Sequence, residues 1–220
     1  MATVLVTGAN RGIGLGFAKH YAREGWDVIA TAREPDKAND LHALDVEVMQ
    51  LDLGDEASAQ EFCATLVDRP IDLLLSNAGV NGGPEPEREL WIETLLVNAV
   101  APSLLAMRLK PNLLAGAQKK AVAISSRMGS IADNSSGGSM IYRSSKAALN
   151  AAWHGLAMEW QRDEIAVAML HPGWVQTDMG GPGAPIDAAT SVAGLATVID
   201  ALYIARTGRF WNYTGEELPW

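Results

Sequence analysis

Short continuous apolar runs alternate along the whole chain with longer segments whose apolar positions recur every three or four residues. The runs predict strands over Thr3–Thr7, Asp27–Thr31, Val46–Leu51, Ile71–Ser76, Ala121–Ser125 and Ile165–His171, with a short one near Arg209–Trp211. Most show no polar alternation, as expected of parallel strands covered on both faces. The periodic segments predict helices over Gly12–Glu24, Pro35–Leu44, Glu56–Val67, Arg88–Arg108, Met140–Arg162 and Ala188–Ile204. Repeated strand–helix–strand units with right-handed crossovers then give a Rossmann-type, doubly wound α/β fold. It is a parallel sheet of about seven strands with helices on both faces, in one domain spanning 1–220.

Ligands of such sheets bind outside the carboxyl ends of the strands. The loop-rich segments NAGVNGGPEPE (77–87), GSIADNSSGG (129–138) and GGPGAPID (180–187) each follow such an end. The last, rich in Gly and Pro, predicts an open or mobile entrance.

Composition narrows the reading. With 48% hydrophobic and 20% charged residues the chain fits a soluble globular protein. A net charge of −9 and a pI near 4.9 argue against nucleic acid as partner, while one basic pocket for a small phosphate stays open. Cys63 is the only cysteine, so no internal disulfide forms, and its helical, apolar setting reads as a structural thiol. The N-terminus enters a strand without a signal-peptide pattern, and no uninterrupted apolar run reaches the ~18 residues of a membrane span. A cytoplasmic protein with no membrane partner is the expectation. His20, His42, His154 and His171 make no compact ligand set, so no metal is expected. Trp153 and Trp160, seven apart, read as helix packing; Trp174 and Trp220 are placed to reach the site or a neighbouring subunit.

The candidate chemistry begins at TGANRGIG, where Gly8, Gly12 and Gly14 crowd the first strand-to-helix corner. Glycines there permit a sharp turn, close approach of a pyrophosphate and tight helix packing, and the following helix offers free amides to the anion. The spacing GxxxGxG departs from the general dinucleotide fingerprint. In this it resembles the classical short-chain dehydrogenase/reductase family, whose TGxxxGxG stands at this corner. The family's further motifs follow in order as SNAG (76–79), VNAVAP (97–102), ISS (124–126), YRSSK (142–146) and HPGWVQTDM (171–179). The longer interval from Ser126 to Tyr142, and the WNYTGEELPW tail, resemble the subgroup of sniffer-type carbonyl reductases and C-factor proteins.

The resemblance implies catalytic roles for Asn98, Ser126, Tyr142 and Lys146. Tyr142 and Lys146, four apart, share one helix face. A free phenol titrates near ~10, and lowering it by two to three units requires roughly 3–4 kcal/mol. A unit positive charge about 4 Å away at an effective dielectric near 20 supplies about 4 kcal/mol. Lys146 is therefore expected to tune Tyr142 as general acid in carbonyl reduction and general base in alcohol oxidation. The resemblance adds a bond from Lys146 to the nicotinamide ribose. Ser126 is expected to stabilise the substrate oxygen, with Ser125 as competitor, and Asn98 to organise a proton-relay water, with a backbone-satisfying amide as the alternative.

For the cofactor, the resemblance implies contacts from Gly8, Asn10, Arg11, Gly12, Ile13 and Gly14 at the corner, Arg33 after the second strand, and Asp52 and Leu53 after the third. Asn77, Ala78 and Gly79 would line the adenosine side, and Pro172, Gly173, Val175 and Thr177 the nicotinamide side. At the tip of the second strand, Ala32 stands where NAD-preferring sites carry an acid, and Arg33 follows. With Arg11 it suits a 2′-phosphate, so NADP(H) is expected over NAD(H); Glu34 is the contrary sign. Expected partners are a small carbonyl or alcohol substrate and, through the long helices, a homodimer or homotetramer. A dinucleotide-binding regulatory protein with little turnover is the second reading. Arg127 and Met128 flank Ser126 as candidate pocket residues or surface positions.

Overall fold

Seven parallel strands pair in the order β3-β2-β1-β4-β5-β6-β7 in a computed structural model: β1 (Thr3–Val6), β2 (Asp27–Ala32), β3 (Glu47–Gln50), β4 (Leu73–Ser76), β5 (Lys120–Ile124), β6 (Ala166–His171) and β7 (Arg209–Asn212). Residues 1–83, 85 and 87–220 are described; Pro84 and Pro86, in the predicted 77–87 loop, lie outside the described residues. The strands follow the apolar runs because both sheet faces are covered. In β1, Leu5 packs into one core cluster and Val4 and Val6 into the other, all fully buried.

The helices are α1 (Gly12–Arg23), α2 (Asn39–His42), α3 (Glu56–Thr65), α4 (Arg88–Leu95), α5 (Ala101–Arg108), α6 (Lys110–Ala115), α7 (Met140–Glu159) and α8 (Ala188–Asp200). α1 and α8 pack together over the cluster of Val4, Phe17 and Leu195. The opposite cluster gathers α3, α5 and α7 around Phe62, Leu105 and Trp153. Trp153 and Trp160 are both buried there, as their spacing predicts.

Three helical expectations need correction. The Pro35–Leu44 segment divides into a 3₁₀ turn at Pro35–Lys37 and the single turn of α2. α6 was not anticipated, although Pro111 stands in its first turn, where a missing N–H is tolerated. The Arg88–Arg108 segment is interrupted by a π-helical turn over Leu96–Val100. Pro102 is the cause: it cannot donate to the carbonyl four residues back, that of Asn98, and its ring crowds that carbonyl.

Among the described residues this Arg88–Arg108 segment is the one helix long and apolar enough to cross a membrane, with a mean hydropathy of 1.6. Glu93 interrupts its apolar run. Here it packs against α7.

Candidate functional site

The strand order reverses between β1 and β4, and a cleft of about 980 Å³ opens at the carboxyl ends of the strands there. Its walls carry Gly8, Asn10, Arg11, Gly12, Ile13, Arg33, Asp52, Leu53, Asn77, Ala78, Gly79, Tyr142, Lys146, Pro172 and Thr177.

The glycine corner is closed by close approach. Gly8 takes a left-handed φ of 62°, and a Cβ there would lie 3.0 Å from Ala78 Cα. A Cβ on Gly14 would lie 2.3 Å from the Gly8 carbonyl oxygen and 2.5 Å from Asn77 Nδ2. Gly14 therefore belongs to the packing beneath the corner and not to the cleft wall. Asn77 locks this corner by donating from Nδ2 to the carbonyls of Thr7 (3.0 Å) and Gly8 (3.1 Å). Thr7, which the motif reading passed over, accepts on Oγ1 from the amides of Asn77 and Ala78. No side chain caps α1, and its first turn carries no acid, so its leading amides stay available to an anion. These donors, beside backbone that a Cβ would obstruct, fit the pyrophosphate of a dinucleotide.

Beyond the tip of β2, Ala32 is buried and Arg33 is exposed on the cleft rim. Glu34 is engaged by Lys37 (2.6 Å), which holds its carboxyl below the usual range. Lys37, at the end of the 3₁₀ turn, lines the cleft too; the motif reading passed over it, and its charge was the signal. Arg11, expected to face the ribose phosphate, instead pairs with Asp178 across the mouth at 2.6 Å. Arg33 is thus the rim cation without an ion-pair partner among the described residues. Asp52 turns Oδ1 to the Gly54 amide (2.8 Å).

The catalytic candidates converge where β5 and α7 meet the cleft. The Ser126 hydroxyl accepts from the Met128 amide at 3.1 Å and lies close enough to the Tyr142 phenol to lower its pKa. Ser125, the competitor, reaches the cleft wall where Ser126 does not, but its hydroxyl is committed to Asn150 Oδ1 at 2.6 Å. Lys146 Nζ donates to the Ile124 carbonyl (2.9 Å) and lies 5.8 Å from the Tyr142 ring centre. The Tyr142 phenol is pushed up to about 12 by burial, against which the Ser126 bond acts. Burial likewise brings Lys146 down to about 8. The sequence estimate of a lowered phenol is not met: desolvation is the largest influence on Tyr142, and Ser126 is what opposes it.

Asn98 does not line the cleft. Its Oδ1 accepts from the Val80 amide (2.8 Å), while Nδ2 donates to the Val80 carbonyl (2.7 Å) and Ser145 Oγ (3.0 Å). The backbone-satisfying alternative describes its side chain; its main-chain carbonyl is the group that Pro102 deprives of an α-helical donor. A Cβ on Gly79 would lie 3.0 Å from Asn98 Oδ1 and 3.5 Å from Lys146 Nζ, so this glycine separates the two.

Gly173 and Val175 also stand behind the wall. Gly173, with φ 84°, abuts Ile186 and Tyr213, and Val175 is buried in a bridge to Ile186. The 180–187 loop is more constrained than its composition predicts: Trp174 Nε1 donates to the Gly180 carbonyl (2.7 Å), Gln176 Nε2 to that of Ala184 (2.9 Å), and the Gly180 amide to Thr177 Oγ1 (3.1 Å). Trp174 thus pins this loop. Trp220 packs on Phe210 and His154, and Arg127 pairs with Asp133 at 3.1 Å.

The strand order, the glycine corner and the cleft at the reversal define a Rossmann-type α/β protein. The profile of the short chain dehydrogenase family matches residues 2–184, and the chain belongs to that family of oxidoreductases. C-signal of Myxococcus xanthus is 39% identical over 170 residues, which span 72% of this chain and 98% of the relative. Among solved structures, the carbonyl reductase Sniffer of D. melanogaster superposes with a TM-score of 0.91 at 32% identity over 100% of both chains. The NADPH-bound carbonyl reductase from chicken fatty liver gives 0.93 at 33% identity, over 100% of this chain and 99% of that one.

Proposed function

We propose that this protein is an NADP(H)-dependent carbonyl reductase in which Tyr142 is the general acid. The observation that carries the reading is that Tyr142 and Lys146, with Ser126 beside the phenol just behind the wall, stand at one end of a cleft whose other end is the uncapped start of α1. The solved relatives named above, two carbonyl reductases and one of them NADPH-bound, support it.

Gly8, Asn10, Gly12 and Ile13 would hold the pyrophosphate, Arg33 and Lys37 the 2′-phosphate, and Asp52, Leu53 and Asn77 to Gly79 the adenosine. Bound NADPH supplies the hydride. Ser126 Oγ donates to the substrate carbonyl oxygen as negative charge develops there. Tyr142, protonated at neutral pH, gives that oxygen its proton. The Lys146 ammonium stabilises the phenolate left behind and passes it a proton, and water then reprotonates Lys146.

The outer face of the Arg88–Arg108 segment exposes Ile92, Val100, Leu104 and Met107, which supports self-association through this helix. Light scattering on the purified protein measures it.

The reading is tested by NADPH consumption against a panel of aldehydes, ketones and quinones, with Tyr142→Phe as control. Turnover lost in the variant supports it. NADPH binding without turnover across the panel would replace it with the regulatory reading.

A further inference from the structure

Ser126 is the second residue of a 15-residue connection, 125–139, between β5 and α7, with one 3₁₀ turn at Arg127–Gly129 as its only helix. A loop this irregular keeps one geometry only where bonds offset its conformational entropy. Its bonds fall into three groups. Near Ser126, Arg127 Nε pairs with Asp133 Oδ2 (3.1 Å), and the Asp133 amide donates to Ser130 Oγ (3.1 Å). Near α7, Arg143 donates to the carbonyls of Gly137 (3.2 Å) and Gly138 (3.1 Å) and to Ser136 Oγ (3.1 Å). Both groups are local. The middle is held from elsewhere: the Ala132 amide donates to the Trp220 carbonyl at 2.8 Å.

Trp220 is a firm post for that bond. Its ring stacks on Phe210 at 5.7 Å and 20°, and meets His154 edge-on at 5.4 Å. Phe210 is fully buried, and His154 is itself tied through Nδ1 to the Gly208 carbonyl (2.9 Å). The chain reaches Trp220 by folding back along β7, with the amides of Asn212 and Leu218 bonded to the carbonyls of Glu216 and Phe210 at 2.7 Å each. Arg209 and Glu217 pair across the same fold at 2.8 Å.

We propose that Trp220 is a positioning residue for Ser126, acting through Ala132, Asp133 and Arg127; the catalytic consequence rests on the carbonyl-reductase reading. The main-chain oxygen of Trp220, a half-exposed residue held by Phe210 and His154, fixes Ala132. Asp133, its neighbour, fixes Arg127, and Arg127 adjoins the serine whose hydroxyl faces Tyr142. Misplacing a catalytic group by about 1 Å costs up to roughly a hundredfold in rate, so a slack loop is read out at the chemistry.

The test uses the full chain with Trp220→Ala, Trp220→Phe and Ala132→Pro, the last removing the amide donor while the indole stays seated. Amide hydrogen exchange followed at Met128, whose N–H is bonded to Ser126 Oγ, reports on the serine independently of turnover. Trp220→Ala and Ala132→Pro are expected to speed exchange at Met128 by about tenfold or more, with Trp220→Phe closer to wild type. On a carbonyl substrate that the wild type reduces, kcat/KM falls by about ten- to a hundredfold while the NADPH Kd holds. Unchanged exchange at Met128 in Ala132→Pro overturns the proposal, whatever the activity. Faster exchange with unchanged kcat/KM in an active enzyme reduces Trp220 to a structural residue and overturns it equally. An inactive wild type shows up separately, as failure of the carbonyl-reductase reading, with the exchange result still deciding whether Trp220 fixes Ser126.

Discussion

Lys146 Nζ donates to the Ile124 carbonyl at 2.9 Å and stands 5.8 Å from the centre of the Tyr142 ring, so the ammonium is committed to the end of β5 while flanking the phenol. Its pKa is brought down to about 8 by burial, and the Tyr142 phenol is pushed up to about 12. Lysine is charged below its own pKa, so the positive charge beside Tyr142 is present at neutral pH and lost as pH rises through about 8. The phenol remains a proton donor across that window. For carbonyl reduction, kcat/KM, which reports ionisations of the free enzyme, should be level at neutral pH and fall above about 8. A profile flat to well above that point would separate Lys146 from the chemistry. Lys146→Met is expected to lose the falling limb together with most of the activity.

Ser125 and Ser126 are adjacent but do different work. Ser126 stands beside the Tyr142 phenol and is proposed to stabilise the substrate oxygen, so Ser126→Ala should lower kcat by roughly a hundredfold or more with the melting temperature nearly unchanged. Ser125→Ala removes a buried bond to Asn150 and should cost about 1–2 kcal/mol of stability with kcat close to wild type. Paired melting and kinetic measurements check both, and the reverse pattern would exchange the two assignments.

What could be read from the chain follows from where the physics is local. Continuous apolar runs marked the strands because each is buried on two faces, and the crowding at Gly8 and Gly14 needs the glycines that the motif displays. The π turn was legible in principle, since Pro102 sits four residues after Asn98. The Arg11–Asp178 pair and the Trp220–Ala132 bond join positions far apart in sequence, and no spacing encodes them. Tyr142 illustrates a different limit: attraction to a lysine one turn away is visible in YRSSK, but the burial that raises the phenol exists only in the assembled site.

The proposed preference for NADP(H) rests on Arg33. Charge-assisted bonds contribute roughly 1.5–3 kcal/mol, so Arg33→Ala should weaken NADPH by roughly ten- to a hundredfold and leave NADH nearly unaffected. Lys37→Ala should have a smaller effect, because Lys37 shares its charge with Glu34. Titration of each variant with both cofactors measures this. Tighter binding of NADH than NADPH by the wild type would assign the rim to a 2′-hydroxyl instead.

His171 makes the fold sensitive to acid. It ends β6 opposite Asn212 of β7, and its Nδ1 and the Asn212 Oδ1 are buried atoms without a hydrogen-bond partner among the described residues. Burial, reinforced by the positive charge of Arg127, brings the imidazole from 6.5 down to about 4. The unfolded chain therefore takes up a proton at higher pH than the folded one. Stability from the neutral ring is complete above about 6.5, and is lost as pH falls toward about 4, where the slope ends. The gap corresponds to at most about 3 kcal/mol, and less where water reaches the ring. Denaturant midpoints at neutral pH and near pH ~4.5 should therefore differ more for the wild type than for His171→Asn, whose amide does not titrate. Equal acid losses in the two proteins would assign the sensitivity to other groups.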